Sequence, residues 1–452
     1  MTGPLDASAM RKRELIDALR RGTVPRRGLE LYAVGVERFE EAIGEELDAC
    51  ARGSGVFKAV RGEYGNGKTF FARWLEQQAF RRSFAAALVQ IAEKDTPLYQ
   101  METIYRRAVE SLATREWADA AFPHLVERWF AALEDESLAS KEIDETDTAA
   151  VERAVTDLLE RRLEPLRTTA PQFAAALRVA YAARLRGDRP LYDGLVAWLM
   201  GNPNVGADVS RKAGLKGKLD HAGASGFLRG LLLLLKQTGR AGLLLTLDEA
   251  ETIQRMRGDV RDKSLNALRQ LVDDLGAQRY PGLYLLVTGT PAFFEGSQGV
   301  KRLQPLADRL HEDFSGDPRF DRARGPQIRL APFDGDKLRE VGRKVRDLYP
   351  TKVQGRMASR ATDAVLDDLA RGVAGQLGQK VGVAPRLYLR KLVELLDKVE
   401  EHADFDPALH YKPVLDAREM TVEERSASGR ATSVDDFELD LPEPGRGGPN
   451  DP

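Results

Sequence analysis

The chain has 452 residues, 42% of them hydrophobic and 31% charged, and its 68 basic residues are nearly matched by 70 acidic ones for a net charge of −2. That length allows about three units of domain size, and the balanced charge excludes a uniformly basic nucleic-acid binder, although a net value hides any local patch. The single cysteine, Cys50, excludes an internal disulfide framework and any multi-cysteine metal site, and the histidines lack the H-E-x-x-H spacing of a zinc site.

Met1–Arg13 has no apolar signal core. The longest apolar run, Phe84–Val89, is far too short to span a bilayer. A cytoplasmic protein without membrane contact is expected. The first predicted element is a short amphipathic helix over residues 10–21, stopped by Gly22 and Pro25. Leu31-Tyr32-Ala33-Val34-Gly35 then leads into a helix from about Val36 to Ala51. An apolar stretch just before a nucleotide-binding core either faces the adenine base, here through Val34 and Gly35, or packs a domain edge.

Val56–Val60 reads as a strand and Phe70–Leu75 as the start of a helix. Between them, Gly62-Glu63-Tyr64-Gly65-Asn66-Gly67-Lys68-Thr69 fits G-x-x-x-x-G-K-[ST], the phosphate-binding P-loop. Glycines remove side chains so that backbone N–H groups can point at phosphate oxygens, and a helix N-terminus adds its dipole. In this pattern Lys68 reaches the β- and γ-phosphates of ATP and Thr69 places a hydroxyl on Mg²⁺. The flanking strand and helix disfavour a chance glycine-rich turn.

Phe84–Ile91 is a second predicted strand. From Leu98 to about Arg240 the pattern is helical, with acidic loop-like breaks at Glu134–Ser137 and Lys141–Asp147 and a turn at Gly201–Asn204. Gly206–Gly226, rich in glycine and lysine, reads as a mobile segment. A helical insertion therefore separates the second and third core strands, a place that more often carries partner contacts than chemistry.

Leu243-Leu244-Leu245-Thr246-Leu247-Asp248-Glu249 is apolar until two acids close it, as in a fully buried parallel strand. At its end Asp248 can hold Mg²⁺ through water and Glu249 can act as general base on the attacking water. A helix start with acids in its first turn fits less well downstream of a P-loop. Another strand follows at Leu283–Thr288, continuing Gly289-Thr290-Pro291. Thr288 and Thr290 are both candidates for a group that senses the γ-phosphate, and a threonine here also suits a helix N-cap before proline.

Gly325–Phe333 reads as a fifth strand and its exit. Arg309, Arg319, Arg322 and Arg324 precede it, where ring-forming ATPases place an arginine that reaches the neighbouring subunit's nucleotide; the pattern does not single one out. Helices at Asp336–Leu348, Ala361–Gly372 and Pro385–Val399 make an all-helical lid. Arg386 opens the last of these against the helix dipole and calls for an anionic partner, either the γ-phosphate or a surface carboxylate. From Asp416 the apolar content collapses, and Ser426–Pro452 reads as disordered. Within it Asp435–Pro442 is either a docking segment for a basic surface or part of an inert tail.

Leu19–Pro25, Val34-Gly35, Arg61–Thr69, Leu247–Ile253, Thr288–Pro291, Gly325–Leu330 and Ala384–Arg390 together resemble the ATP-binding proteins of BREX bacteriophage-defence systems, in size the BrxD-like members. The resemblance runs from about residue 10 to 415. It implies an α/β fold, a P-loop AAA+-type parallel-sheet core with a large helical insertion and a C-terminal helical lid, related to origin-recognition and helicase-loading proteins. The implied division is 1–35 for an N-terminal helix and adenine-side arm, 36–97 and 241–335 for a split ATPase core, 98–240 for the insertion, 336–415 for the lid and 416–452 for the tail. The resemblance implies ATP and Mg²⁺ as cofactors, a homo-oligomer, and work beside a helicase, methyltransferase or phosphatase-like partner, and it leaves DNA open as a ligand. Origin-recognition relatives carry a winged helix after the lid, and the folded pattern here ends near Leu415. Three functions fit: an ATP-hydrolysing switch or loader, a scaffold that binds ATP with negligible turnover, and a STAND-like signalling ATPase. Glu249 beside Asp248 favours the first over the second, since a pure binder needs no base.

Overall fold

The computed structural model describes residues 8–139, 148–215, 219–376, 385–416, 418 and 420. Two compact units emerge: Val24–Pro332, and Ser8–Thr23 together with the chain from Phe333 onward. Helix α1 (Ala9–Arg20), first in the chain, therefore clusters with the second unit.

The first unit is built on a parallel sheet of β1 (Val56–Arg61), β2 (Ala85–Gln90), β3 (Leu243–Asp248), β4 (Leu283–Gly289) and β5 (Gln327–Arg329), in the order β2-β3-β4-β1-β5. The fold class is α/β, as expected. Strands covered on both faces need apolar residues without alternation, and every residue of β3 and β4 is buried. Parallel neighbours need long crossovers. Helix α2 (Glu40–Ala51) precedes β1, and α3 (Lys68–Arg81) joins β1 to β2. The register aligns the strand ends, with Arg61 opposite Gly289, Leu247 opposite Val287, and Gln90 opposite Asp248. In open α/β sheets this carboxyl edge is where ligands bind.

The insertion between β2 and β3 comprises α4 (Met101–Glu110), α5 (Ala121–Ala139), α6 (Thr148–Leu163), α7 (Pro171–Leu185), α8 (Arg189–Leu199), α9 (Ala207–Lys212) and α10 (His221–Gln237). Its apolar faces join those of the sheet in one continuous core. Phe227 of α10 meets Tyr105, Phe173 and Trp198 edge-on, with ring centroids 5.1–5.6 Å apart. Two expectations are corrected here. Glu134–Ser137 is not a break but the end of α5, where Leu133 and Ser137 are buried and Glu134 pairs with Arg184 of α7. Acids on the solvated side of an amphipathic helix had the look of a loop. The described part of Gly206–Gly226 is largely helical, in α9 and the start of α10, while residues 216–218 lie outside the described residues, and Asp220 caps α10 by accepting from Gly223 N at 2.7 Å. Gly226 lets two segments approach closely, since a Cβ there would lie 2.5 Å from the Thr169 carbonyl oxygen. Lys141–Asp147 lies outside the described residues.

The remaining crossovers use α11 (Gly258–Gly276), α12 (Pro291–Glu295) and α13 (Gln304–Arg309). Lys58, in the middle of β1, is 1% exposed. Its ammonium donates to the carbonyls of Ala323 (3.1 Å) and Gly325 (2.6 Å) and lies 2.5 Å from Glu46 Oε1. Glu46 Oε2 in turn accepts from the Tyr284 hydroxyl at 2.7 Å. This network ties α2, β1 and β4 to the segment entering β5. Removing one partner of a buried ion pair leaves an uncompensated charge. Glu46→Ala should therefore destabilise the protein by about 3 kcal/mol, read as a lower urea midpoint at unchanged slope. An unchanged midpoint would show that Lys58 needs only the two carbonyls.

The second unit gathers α1, α14 (Gly335–Leu348), α15 (Arg356–Arg360), α16 (Asp363–Gln376), α17 (Pro385–Glu401) and α18 (Pro407–His410), with α1 packed against α17. Arg20 of α1 donates twice to Asp397 of α17, at 2.9 and 2.8 Å, and the Tyr349 hydroxyl donates to the same carboxylate at 2.6 Å. Leu15 and Leu19 are buried, as are Leu387, Leu392 and Leu396. Gly22 ends α1 at φ 71°, the left-handed region that suits glycine after a helix. Ala384 and the tail Ser426–Pro452, including Asp435–Pro442, lie outside the described residues. Among the described residues no helix is long and apolar enough to cross a membrane.

Candidate nucleotide-binding site

Beyond Arg61 the chain turns through Gly62–Gly67 into α3. Gly65 and Gly67 take φ 84° and 87°, conformations that side chains disfavour. Gly67 stands at the N-cap of α3 and makes no side-chain cap bond there, so no side chain at that position covers the first N–H groups of the helix. The stretch of strand, glycine turn and uncovered helix start has the form of an anion cradle. Asn66 braces it by donating to the Leu330 carbonyl at 3.4 Å. Glu63, Tyr64, Gly65 and Thr69 face solvent. Tyr64 accepts from Arg255 at 3.1 Å, and its ring lies 4.8 Å from the Lys68 ammonium.

Lys68 is buried at the start of α3, 8% exposed. Its ammonium donates to the carbonyls of Gly62 (2.9 Å) and Glu63 (3.4 Å) and lies 3.5 Å from Glu251 Oε1. Asp248 is buried at the end of β3, where Oδ1 accepts from the Thr288 hydroxyl and from Glu249 N (3.2 Å). Thr288 Oγ1 also accepts from Glu249 N at 3.2 Å. Glu249 takes φ 58°, ψ 41°, left-handed without being glycine, a conformation that clusters at functional sites. Its exposed side chain accepts from Gln90 Nε2 at 2.8 Å. The two candidate threonines separate: Thr288 holds Asp248, whereas Thr290 caps α12 by accepting from Phe293 N at 3.4 Å.

The segment expected to face the adenine lies next to the start of α3. Tyr32 packs edge-on against Phe70 of α3 at 5.5 Å, Val34 is buried, and Gly35 turns at φ 81°. For Mg²⁺, the donors fit a hard cation that keeps much of its water: one acid, Asp248, and one hydroxyl, Thr69. Among the described residues no group of three His, Cys, Asp or Glu side chains could enclose a metal without a nucleotide.

The family model described as BREX system ATP-binding protein BrxC/D matches residues 7–414. The chain belongs to this family. It is thus an ATP-binding protein of a BREX defence system. No curated protein and no solved structure matches the chain.

In this BrxC/D-family chain the four arginines before β5 all have carboxylate partners within the unit. Arg309 pairs with Asp273, Arg319 with Asp317, Arg322 with Glu312, and Arg324 with Glu45 and Glu41. Arg386 lies in the second unit, where its guanidinium covers the turn after α1: a Cβ on Gly22 would come within 3.2 Å of its Nη1. Sequence reasoning missed two members of the site. Gln90 had a legible signal, a lone polar residue closing the apolar strand Ala85–Val89. Glu251 had none: it follows Asp248 by three residues, and only the left-handed turn at Glu249 brings it inward. Glu251 is 5% exposed, and burial pushes its carboxyl above the usual range against the opposing pull of Lys68.

Proposed function

We propose that this protein binds Mg·ATP on the Gly62–Thr69 loop and hydrolyses it to drive assembly or remodelling of a BREX complex. The observation that carries the reading is Glu249, an exposed carboxylate beside buried Asp248, on the same sheet edge as the glycine loop. Lys68 and the α3 N–H groups would bind the β- and γ-phosphates. Val34 and Gly35 would border the adenine. Asp248, oriented by Thr288, and Thr69 would hold the metal, which when bound screens phosphate charge. Glu249 would take the proton from the attacking water. Gln90 donates to that carboxylate at 2.8 Å and so holds it away from a water it would have to activate. Turnover is therefore slow until this bond is released, as suits an enzyme stimulated by its oligomer or by a helicase, methyltransferase or phosphatase-like partner on DNA.

The test is steady-state ATP turnover measured alongside mass photometry, with and without DNA. Turnover that rises with assembly supports the reading; wild-type protein that binds Mg·ATP but never hydrolyses it leaves a scaffold. If one of Arg309, Arg319, Arg322 or Arg324 acts across a subunit boundary, its alanine variant should spare ATP binding and lose about 10³–10⁵ in rate. Mixing that variant with Lys68→Ala protein should restore part of the turnover, since one subunit brings an intact pocket and the other the arginine. Full activity from a strict monomer at nanomolar concentration would rule out the trans-acting arginine.

A further inference from the structure

Lys68 has three N–H donors. Two are spent on the carbonyls of Gly62 and Glu63, and Glu251 Oε1 lies 3.5 Å from the ammonium. The left-handed turn at Glu249 starts a short 3-10 helix, Ala250–Arg255, which buries Ala250, Glu251 and Ile253. Neither oxygen of Glu251 has a hydrogen-bond partner among the described residues. A buried carboxylate this poorly satisfied is costly unless a cation compensates it, and Lys68 is the cation paired with it. Nor does Glu251 duplicate Glu249: it is shielded from the solvent that a base would have to activate, and among the described residues no metal cluster includes it.

We propose that Glu251 is a positioning residue that competes with the β- and γ-phosphates for the Lys68 ammonium and so limits how tightly the site holds a nucleotide. The inference rests on the nucleotide reading of this site. A phosphate chain that enters the cradle must draw Lys68 away from Glu251 and must accept a second buried negative charge close by. Both effects oppose binding, and both vanish when the carboxylate becomes an amide of the same shape. A site that grips less strongly also releases ADP faster, which an assembly switch needs in order to reset.

Isothermal titration calorimetry on wild-type and Glu251→Gln protein tests this with Mg·ADP, inorganic pyrophosphate and adenosine. The variant should bind Mg·ADP and pyrophosphate about tenfold tighter, the scale of one like charge removed at partly screened range. Adenosine offers Lys68 no phosphate and should gain nothing. Glu251→Asp, whose shorter side chain withdraws the carboxylate from Lys68, should tighten Mg·ADP by a smaller factor and serves if the amide variant does not fold. Equal or weaker binding of Mg·ADP by the variants, or an equal gain for adenosine, overturns the competition and leaves the nucleotide site standing. A wild-type protein that binds neither Mg·ADP nor Mg·ATP overturns both.

Discussion

Lys68→Ala is expected to abolish nucleotide binding. The ammonium is the main point charge available to the β- and γ-phosphates, and it already sits against the loop, held by the Gly62 and Glu63 carbonyls. Alanine removes the charge while the glycine turn and the helix start keep their shape, so the fold should survive. Ligand that binds only the native state stabilises it by mass action. Wild-type protein at a hundredfold excess of Mg·ATP over Kd should gain about 2.7 kcal/mol, visible as a concentration-dependent rise in Tm. The variant should gain none, and its ligand-free Tm will report the loss of the Glu251 pair separately. A Lys68→Ala protein that melts higher with Mg·ATP just as the wild type does would place the phosphate cradle elsewhere.

Glu249→Gln should bind ATP normally and turn it over slower by about 10²–10⁴-fold, the usual worth of general-base assistance. The amide preserves size and can still partner Gln90, but it cannot accept the proton of the attacking water. The left-handed backbone at this position is set by residues around it, so the substitution should leave the bonds from Glu249 N to Asp248 and Thr288 intact. An assembly that forms with ATP should then persist, because the step that dissolves it is blocked. Single-turnover measurement with radiolabelled ATP separates this from slow product release. Turnover at the wild-type rate would move the base to another group.

Much of the architecture is legible from local chemistry. Strands buried on both faces are largely apolar, so β2, β3 and β4 stand out as runs rich in Ala, Val and Leu, and β1 shows through Val56, Phe57, Ala59 and Val60 around Lys58. A turn whose backbone must reach left-handed angles calls for glycine, and Gly65 and Gly67 answer it. Helices with one apolar stripe show their period, which is why Asp336–Leu348 and Pro385–Val399 were readable. The same rules misread Glu134–Ser137 and Gly206–Gly226. A run of acids looks alike on a loop and on the solvated side of a helix, and a glycine required by close packing looks like one required by flexibility.

The sequence by itself thus determined the glycine turn before α3, the acid-terminated strand and the apolar strands, because each depends on residues within a few positions of one another. Tertiary structure decided what depends on distant partners. Gln90 meets Glu249 because β2 and β3, separated by the whole insertion, pair in a register that sets Gln90 opposite Asp248. Glu251 meets Lys68 because one left-handed residue turns it back toward α3. Helix α1 joins the second unit because Arg20 finds Asp397 on α17, far along the chain. No local pattern encodes such pairings, since a side chain's partner across a sheet or a helix contact is set by register and packing, whereas its own neighbours set only its conformation.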